Sequence, residues 1–517
     1  MVTARVRARA GAVVLVAVLG LSACSVSWTT GGVARPQGAL PVAQAGARTP
    51  PTAGLARFYD QTVAWTSCSG GFQCGRVVVP LSYADPGGAT VSLAVARLPA
   101  RDPAQRLGAL LVNPGGPGAS GVDFAQEAAG QFAPAVLARY DLVGWDPRGV
   151  QRSDPVHCLS AAATDQLLAA PGDPSTPVGE QALLAMDASF ARACQARSGP
   201  LLPHVGTVDT ARDLDVLRGV LGDARLAYYG ASYGTFIGAT YAEMFPHRVG
   251  RMVLDGALDP ALSAAGEAAG QTAGFAGELN AFLADCLTRS GCPVGPTVAA
   301  ANAQLLALSA QAAVHPLATQ SGRPLTQSEL LTGVILPLYD PQGWPVLRQA
   351  LASGLKGDGT QLLELADAYN SRNPNGTYST NTNDANYAIN CEDRPDHSTL
   401  AQTAALAGRL AAVSPLIGGY VAWGDLACTV WPVPASDHPH PIHAAGAAPI
   451  LVVGTTGDPA TPYAWAVALA HELDSGRLLT RVGEGHTGYH MGNTCVDNAV
   501  DTYLLAGVLP PLGTVCR

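Results

Sequence analysis

Charge is scarce in this chain and nowhere concentrated. Asp, Glu, Lys and Arg make up only 13% of the 517 residues, and the formal net charge of −9 is spread along the sequence instead of being gathered into acidic or basic runs. Neutralising phosphates takes clustered Lys and Arg, so no nucleic-acid partner is expected. Lys356 is the single lysine, a feature of composition that carries no functional weight. No Cys-x-x-Cys pair occurs, which removes the commonest zinc signature, and no metal is expected. The apolar run at residues 12–19 is too short for a comfortable membrane span. No internal repeat is visible, which argues against a solenoid or propeller.

Apolar residues make up 48% of the chain. At this length a sizeable core is expected, either one large unit with an inserted subdomain or two domains. Arg5, Arg7 and Arg9 precede the apolar run, and Leu21-Ser22-Ala23-Cys24 follows it, a pattern that reads as an export signal over residues 1–23. Leu-Ser-Ala-Cys resembles a bacterial lipobox, which would make Cys24 the lipidated first residue of an exported protein held at the outer face of the cell membrane. The alternative is an ordinary secretory signal, a secreted product and an incidental cysteine. Residues 24–54, rich in Ala, Gly, Pro and Thr, read as a flexible tether. Setting Cys24 aside leaves ten of the eleven cysteines, an even set suited to an oxidising compartment. Sequence does not determine their connectivity, but near-neighbour closure suggests Cys68 with Cys74, Cys158 with Cys194, Cys286 with Cys292, Cys391 with Cys428 and Cys495 with Cys516.

Short apolar runs alternate with helical patterns through the first half, the signature of a mainly parallel sheet with crossover helices. Strands are expected at 73–80, 90–98, 107–113, 140–145, 225–229 and 251–255, with an antiparallel pairing of the first two among the expectations. Helices are expected at 207–221, which ends at Gly222, and at 235–245, which Pro246 stops. Residues 260–432 switch to amphipathic stretches such as 278–286, 297–313 and 361–369, and read as a helical insertion over the site. Strands return at 449–454 and 477–482 with a helix at 462–473 between them. The domain reading is therefore core at 55–259, helical cap at 260–432, and core again at 433–517.

Gly230-Ala231-Ser232-Tyr233-Gly234 matches Gly-x-Ser-x-Gly, a weak signal alone. Its setting of strand, tight turn, helix and strand is what a nucleophile elbow requires, with small residues letting the backbone close while the serine hydroxyl projects. A glycine-rich turn with a passive serine is the bland alternative. A serine hydroxyl needs an imidazole to take its proton and a carboxylate to hold that imidazole. Asp458 and His486 each follow a strand, in the chain order this fold uses. His490 competes as base, and Asp425 and Glu484 compete as acid. Tyr233 N–H and a second amide at Gly116, beside Gly115, would face the developing oxyanion. Pro114-Gly115-Gly116-Pro117-Gly118 does not fit the dinucleotide-binding spacing, and no cofactor is expected. The histidines at 438, 440 and 443 are interleaved with prolines and read as a surface loop before a metal site.

Together Asn113-Pro114-Gly115-Gly116-Pro117-Gly118, Trp145-Asp146-Pro147-Arg148-Gly149, Gly230-Ala231-Ser232-Tyr233-Gly234-Thr235, Val253-Leu254-Asp255-Gly256, the Asp458 segment and Gly485-His486 resemble the tripeptidyl aminopeptidase branch of the proline iminopeptidase-like serine peptidases. The resemblance implies an α/β-hydrolase fold with an inserted, mostly helical cap. It also implies an exopeptidase for peptides with a free N-terminus, working through an acyl-enzyme. Proline iminopeptidases carry histidine where Asn113 stands, which favours the tripeptidyl branch. In such enzymes the cap supplies carboxylates for the substrate's amine; Glu392 and Asp393, beside Cys391, are the candidates, with a solvated acidic turn as the alternative. Glu243 reads as a helix-surface residue. The same triad acting on carboxylic esters or lipids of the cell envelope is the rival function, and a catalytically silent binding lipoprotein is a third.

Overall fold

Strands too apolar to leave one face in water are covered on both faces, and here they build a mainly parallel sheet. The structure, a computed structural model, describes residues 43–395, 398–435 and 437–517; the export signal and Cys24 lie outside them. Among the described residues the strands are β1 (Thr66–Ser67), β2 (Gln73–Pro80), β3 (Thr90–Leu98), β4 (Gly108–Asn113), β5 (Tyr140–Trp145), β6 (Leu226–Ala231), β7 (Val249–Asp255), β8 (Ile450–Gly457), β9 (Gly476–Glu484) and β10 (Val515–Cys516). They lie in one sheet in the order β1-β2-β3-β5-β4-β6-β7-β8-β9-β10. β1, β2, β3 and β5 pair antiparallel in turn. From β5 to β10 every neighbouring pair is parallel. β4 is buried at every position, with Ala109 and Leu111 packing into one core and Leu110 and Val112 into another. The α/β-hydrolase fold is present, and the strands fall within a residue or two of their expected bounds at most ends.

The helix behind the serine starts earlier than expected, spanning Tyr233–Met244, because Ser232 itself is its N-cap. Between β7 and β8 runs a series of helices from Ala264–Leu287 to Gly418–Gly424, of which those up to Thr360–Tyr369 pack around a separate core that includes Phe282, Leu331 and Leu362, while Ala385, Ala388 and Ile389 of Thr382–Asp393 join the core of the sheet. A second excursion, between β5 and β6, holds helices Ala161–Ala169 and Pro177–Ser198. Leu183 and Leu184 of the latter pack against Leu406 and Leu410 of the first series. The cover over the sheet thus draws on both excursions, and part of the 55–259 segment lies with the cap.

The tether reading meets a packed segment from Gln44 onward. Gln44 N–H donates to Gly222 O at 2.8 Å, Ala47 is fully buried, and the Arg218 guanidinium donates to Ala47 O at 3.0 Å. Backbone carbonyls that satisfy a buried arginine hold this stretch in place whatever its side-chain composition. Five disulfides form with the near-neighbour pairing: Cys68–Cys74, Cys158–Cys194, Cys286–Cys292, Cys391–Cys428 and Cys495–Cys516.

Candidate active site

Ser232 joins β6 to its helix at φ +56°, ψ −128°, a backbone state that an L-residue keeps only when its surroundings enforce it. Glycine is obligatory on both sides. A Cβ on Gly230 would lie 2.4 Å from Gly234 O, and one on Gly234 would lie 2.8 Å from Asn113 O. Ser232 N–H donates to Asp255 O at 2.9 Å, which ties the elbow to the end of β7. Sheet register then brings the glycine loop alongside, because Asn113 of β4 pairs with Gly230 of β6. A Cβ on Gly115 would meet Tyr233 N at 2.7 Å, so loop and elbow touch backbone to backbone. The Gly115 N–H is occupied by Asn113 Oδ1 at 2.9 Å, and Gly116 carries the next amide.

Asp458 and His486 converge for the same reason. Gly457 pairs with Glu484 where β8 and β9 end, so the two loops that follow leave the sheet side by side. His486 Nδ1 lies 2.9 Å and 3.0 Å from the two Asp458 oxygens. That carboxylate also accepts from Ala460 N–H at 3.0 Å, Thr461 N–H at 2.8 Å and Thr487 N–H at 3.0 Å, so its orientation is set by backbone. Burial pulls the imidazole pKa down, but the charge and hydrogen bond of Asp458, with the charge of Asp255, outweigh it and leave the pKa above its ordinary value. With Nδ1 engaged by a carboxylate, the ring is held as the Nδ1–H tautomer. Nε2 is buried with no hydrogen-bond partner among the described residues.

Two residues support this loop in roles that the sequence reading did not assign. Tyr339, from the cap, accepts His486 N–H on its carbonyl at 2.7 Å and presents its ring edge-on to the imidazole at a centroid distance of 5.5 Å. Gly485 is needed there, at φ +95°, since a Cβ would lie 2.8 Å from Pro341 Cδ. Asp255, buried at the end of β7, accepts from Gly488 N–H at 2.8 Å, Tyr489 N–H at 2.9 Å and Tyr229 OH at 2.9 Å. It pins the turn after the histidine, and burial lifts its carboxyl to about 6.

Ser232, Gly116, Tyr233 and His486 share the wall of one cavity of about 650 Å³, closed above by cap residues such as Tyr339 and Tyr387. Asp393 is on that wall and Glu392 is not. Both are buried and end the helix Thr382–Asp393, so the solvated-turn alternative does not hold. The Asp393 carboxylate accepts from Thr207 N–H at 2.6 Å, Thr207 Oγ1 at 2.7 Å and Tyr233 OH at 3.2 Å, and burial raises it to about 7. His490 is off the cavity wall, its ring 3.7 Å from that of Tyr489 and 5.9 Å from that of Phe132. Glu484 faces Glu278 of the cap, and the imidazole's carboxylate partner is Asp458.

The family model described as TAP-like protein matches residues 414–516, the stretch that carries Asp458 and His486. The serine protease Hip1 of Mycobacterium tuberculosis is 38% identical over 477 residues, covering 88% of this chain and 91% of that protein. Carboxylesterase B of the same organism is 40% identical over 452 residues, 86% of each chain. The tripeptidyl aminopeptidase of Streptomyces lividans is 33% identical over 460 residues, covering 86% of this chain and 84% of that protein. The names of these relatives divide between peptide and ester substrates.

Proposed function

Because this chain belongs to the family that holds tripeptidyl aminopeptidases and the serine protease Hip1, and is accordingly a serine hydrolase of the α/β-hydrolase fold, we propose that it is a serine aminopeptidase releasing short, tripeptide-sized fragments from free N-termini. Ser232 is the nucleophile, His486 the general base and Asp458 the carboxylate that orients the imidazole. The reading is carried by one observation: His486, held by the buried Asp458 and with Nε2 unengaged, lines the cavity into which the strained elbow delivers Ser232.

In the first half-reaction His486 Nε2 takes the proton of Ser232 Oγ as that oxygen attacks the scissile carbonyl. The imidazolium so formed is stabilised by Asp458 and then donates its proton to the departing amine. Negative charge gathers on the former carbonyl oxygen, where the N–H groups of Tyr233 and Gly116 supply preorganised donors; one such donor is worth about 3 kcal/mol. Water, activated at the same Nε2, releases the peptide from Ser232. A cap that closes one end of the cleft would limit the length of the acyl fragment.

Export is part of the proposal, through the leader at 1–23 and either lipidation at Cys24 or secretion. The five disulfides support an oxidising compartment. Among the described residues no helix is long and apolar enough to cross a membrane. Hydrolysis of carboxylic esters is the second reading, favoured by the similarity to carboxylesterase B. A comparison of a tripeptide anilide bearing a free amine, its N-acetylated twin and a short-chain ester tests both. Marked preference for the free amine is the expected result; fast ester turnover without anilide cleavage would replace the peptidase reading with the esterase one.

A further inference from the structure

A row of asparagines runs along the cavity wall and is tied to the glycine loop. The helix Thr382–Asp393 packs one face into the core of the sheet through Ala385, Ala388 and Ile389. Its Asn383, Asn386 and Asn390 line the cavity that also holds Ser232 and His486, and spacings of three and four residues put them on one face. Asparagine is among the weaker helix formers, so three of them in a helix of 12 residues lower its intrinsic stability, and side chains turned to a cavity recover little of that by packing. The helix meets the loop at Gly118, where an added Cβ would lie 3.1 Å from Ala385 Cβ. Thr382 Oγ1 donates to Gly118 O at 3.2 Å, Asn386 Nδ2 donates to Pro117 O at 3.1 Å, and Asn390 Nδ2 donates to Asn386 Oδ1 at 3.1 Å.

The direction of this relay is fixed at its anchor. A carbonyl oxygen only accepts, so Asn386 turns its N–H₂ to Pro117 and its Oδ1 to Asn390, which must give its own N–H₂ in turn. The relay therefore ends on Asn390 Oδ1, an acceptor with no hydrogen-bond partner among the described residues, in a side chain on the cavity wall. The acids of the same wall are engaged or costly to ionise. Asp393 is bound by Thr207 and Tyr233, Glu267 pairs with Arg394, and Asp187, buried on helix Pro177–Ser198, has its carboxyl lifted to about 7 by burial. Asn390 Oδ1 is a neutral acceptor and does not titrate.

We propose that Asn390 reads the backbone of the acyl fragment, its Oδ1 accepting the N–H of an internal peptide bond, so that the cleft selects peptidyl over simple acyl groups. This rests on the peptidase reading for the natural substrate, whereas acceptance of an amide N–H by Asn390 does not depend on whether the scissile bond is an amide or an ester. A peptide N–H drawn from water into a closed cleft needs an acceptor there. An analogue with oxygen in place of that N–H leaves Asn390 Oδ1 desolvated and unpaired, which is how a hydrogen-bonding site rejects a near-isostere. Through Asn386 and Pro117 the acceptor belongs to the same hydrogen-bonded frame as the loop that carries the Gly116 amide, so the acyl chain is aligned with the oxyanion donors.

The test uses the full chain and a tripeptide anilide with two analogues, in each of which one of the two internal amides is replaced by an ester; release of the aniline is followed. In the wild type one of the analogues should lose roughly tenfold in kcat/KM against the parent. In Asn390→Leu the parent should fall by about the same factor, and the disadvantage of that analogue should shrink to about twofold or less. Asn390→Ser, which withdraws the acceptor with a smaller side chain, is the second variant and should behave alike. Labelling of Ser232 by a fluorophosphonate reports that each variant is folded. No disadvantage at either position in the wild type, or an undiminished one in the variants, overturns the proposal. A second arm repeats the comparison with p-nitrophenyl esters of the same three acyl groups. A wild type that cleaves these esters and none of the anilides sinks the peptidase reading, while the ester arm still decides, by the same criterion, whether Asn390 reads an amide N–H.

Discussion

Buried carboxyl groups at the end of the sheet and two in the cover above it, Asp187 and Glu278, are held in opposite ways. On the sheet side each is surrounded by donors: Asp458 by three backbone N–H groups and the imidazole, Asp255 by two amides and a phenol. On the cap side Asp187 has no donor, and Glu278 is pushed to about 9 by burial first and then by contact with Glu484 and its charge. The sheet side is therefore preorganised for charge that develops during reaction, since its dipoles are in place before substrate arrives. Asp187 and Glu278, unlike the engaged Asp393 and Glu267 of the same cap, keep charge that a ligand or a proton must complete. The difference lies in how many donors the backbone brings to each carboxyl group.

If the sheet wall carries the chemistry, damage there should dwarf damage elsewhere. Ser232→Ala is expected to lower kcat/KM on a tripeptide anilide by about 10⁴-fold or more and to abolish fluorophosphonate labelling. Residual labelling at another serine with retained turnover would move the nucleophile. Asp458→Asn should cost about 10⁴-fold in kcat, because an amide at that position favours the wrong imidazole tautomer. A loss below tenfold would show that the backbone alone orients the ring. In the wild type kcat/KM should rise with pH through an apparent pKa above that of free imidazole. The base must be neutral to act, and Asp458 together with Asp255 stabilises its protonated form against the opposing effect of burial. Asp458→Asn should move that limb toward lower pH.

Asp255 probes the same wall at one remove. Its two oxygens accept from different donors, so in Asp255→Asn one donor must face an amide N–H₂. We expect about 1–3 kcal/mol of lost stability, read as a lower denaturation midpoint. A smaller decline in kcat is expected as the turn after His486 loosens. Unchanged stability would mean that the Gly488 and Tyr489 amides find other acceptors.

Much of the sheet wall was legible in the sequence because its residues sit where strands end. Once β4, β6, β8 and β9 are recognised as neighbouring parallel strands, register alone brings Asn113 beside Gly230 and Gly457 beside Glu484. The glycine-rich turns after them do the rest. Asp255 was visible only as part of a motif, since nothing local says that its carboxylate caps a turn 233 positions later. The cap wall was far less legible. Asp187 sits on a helix whose pattern gives an acid there no reason to be buried; its burial comes from packing against helices of the other excursion. Asp393 was visible in its motif, but its partner Thr207, 186 positions away, was not. Periodicity reports which face of an element is apolar, but it does not say which distant element will cover the polar one.

The smallest expected effect on activity bears on the cap. Glu278 has its carboxyl raised to about 9 in the folded protein, whereas in the unfolded chain it ionises near 4.3. Between those values the native state holds a proton that the unfolded chain has released, so stability declines as pH rises across this window. This is the reverse of the usual carboxylate, whose folded pKa is depressed. Glu278→Gln keeps the shape and removes the ionisation, so its Tm should fall less than the wild type's between pH 6 and 9, by a few degrees at the alkaline end. A wild-type Tm that falls no faster than the variant's would mean that the Glu278 carboxyl ionises there at little cost. The cap wall would then tolerate unmatched charge, and the contrast between the two walls would rest on Asp187 alone.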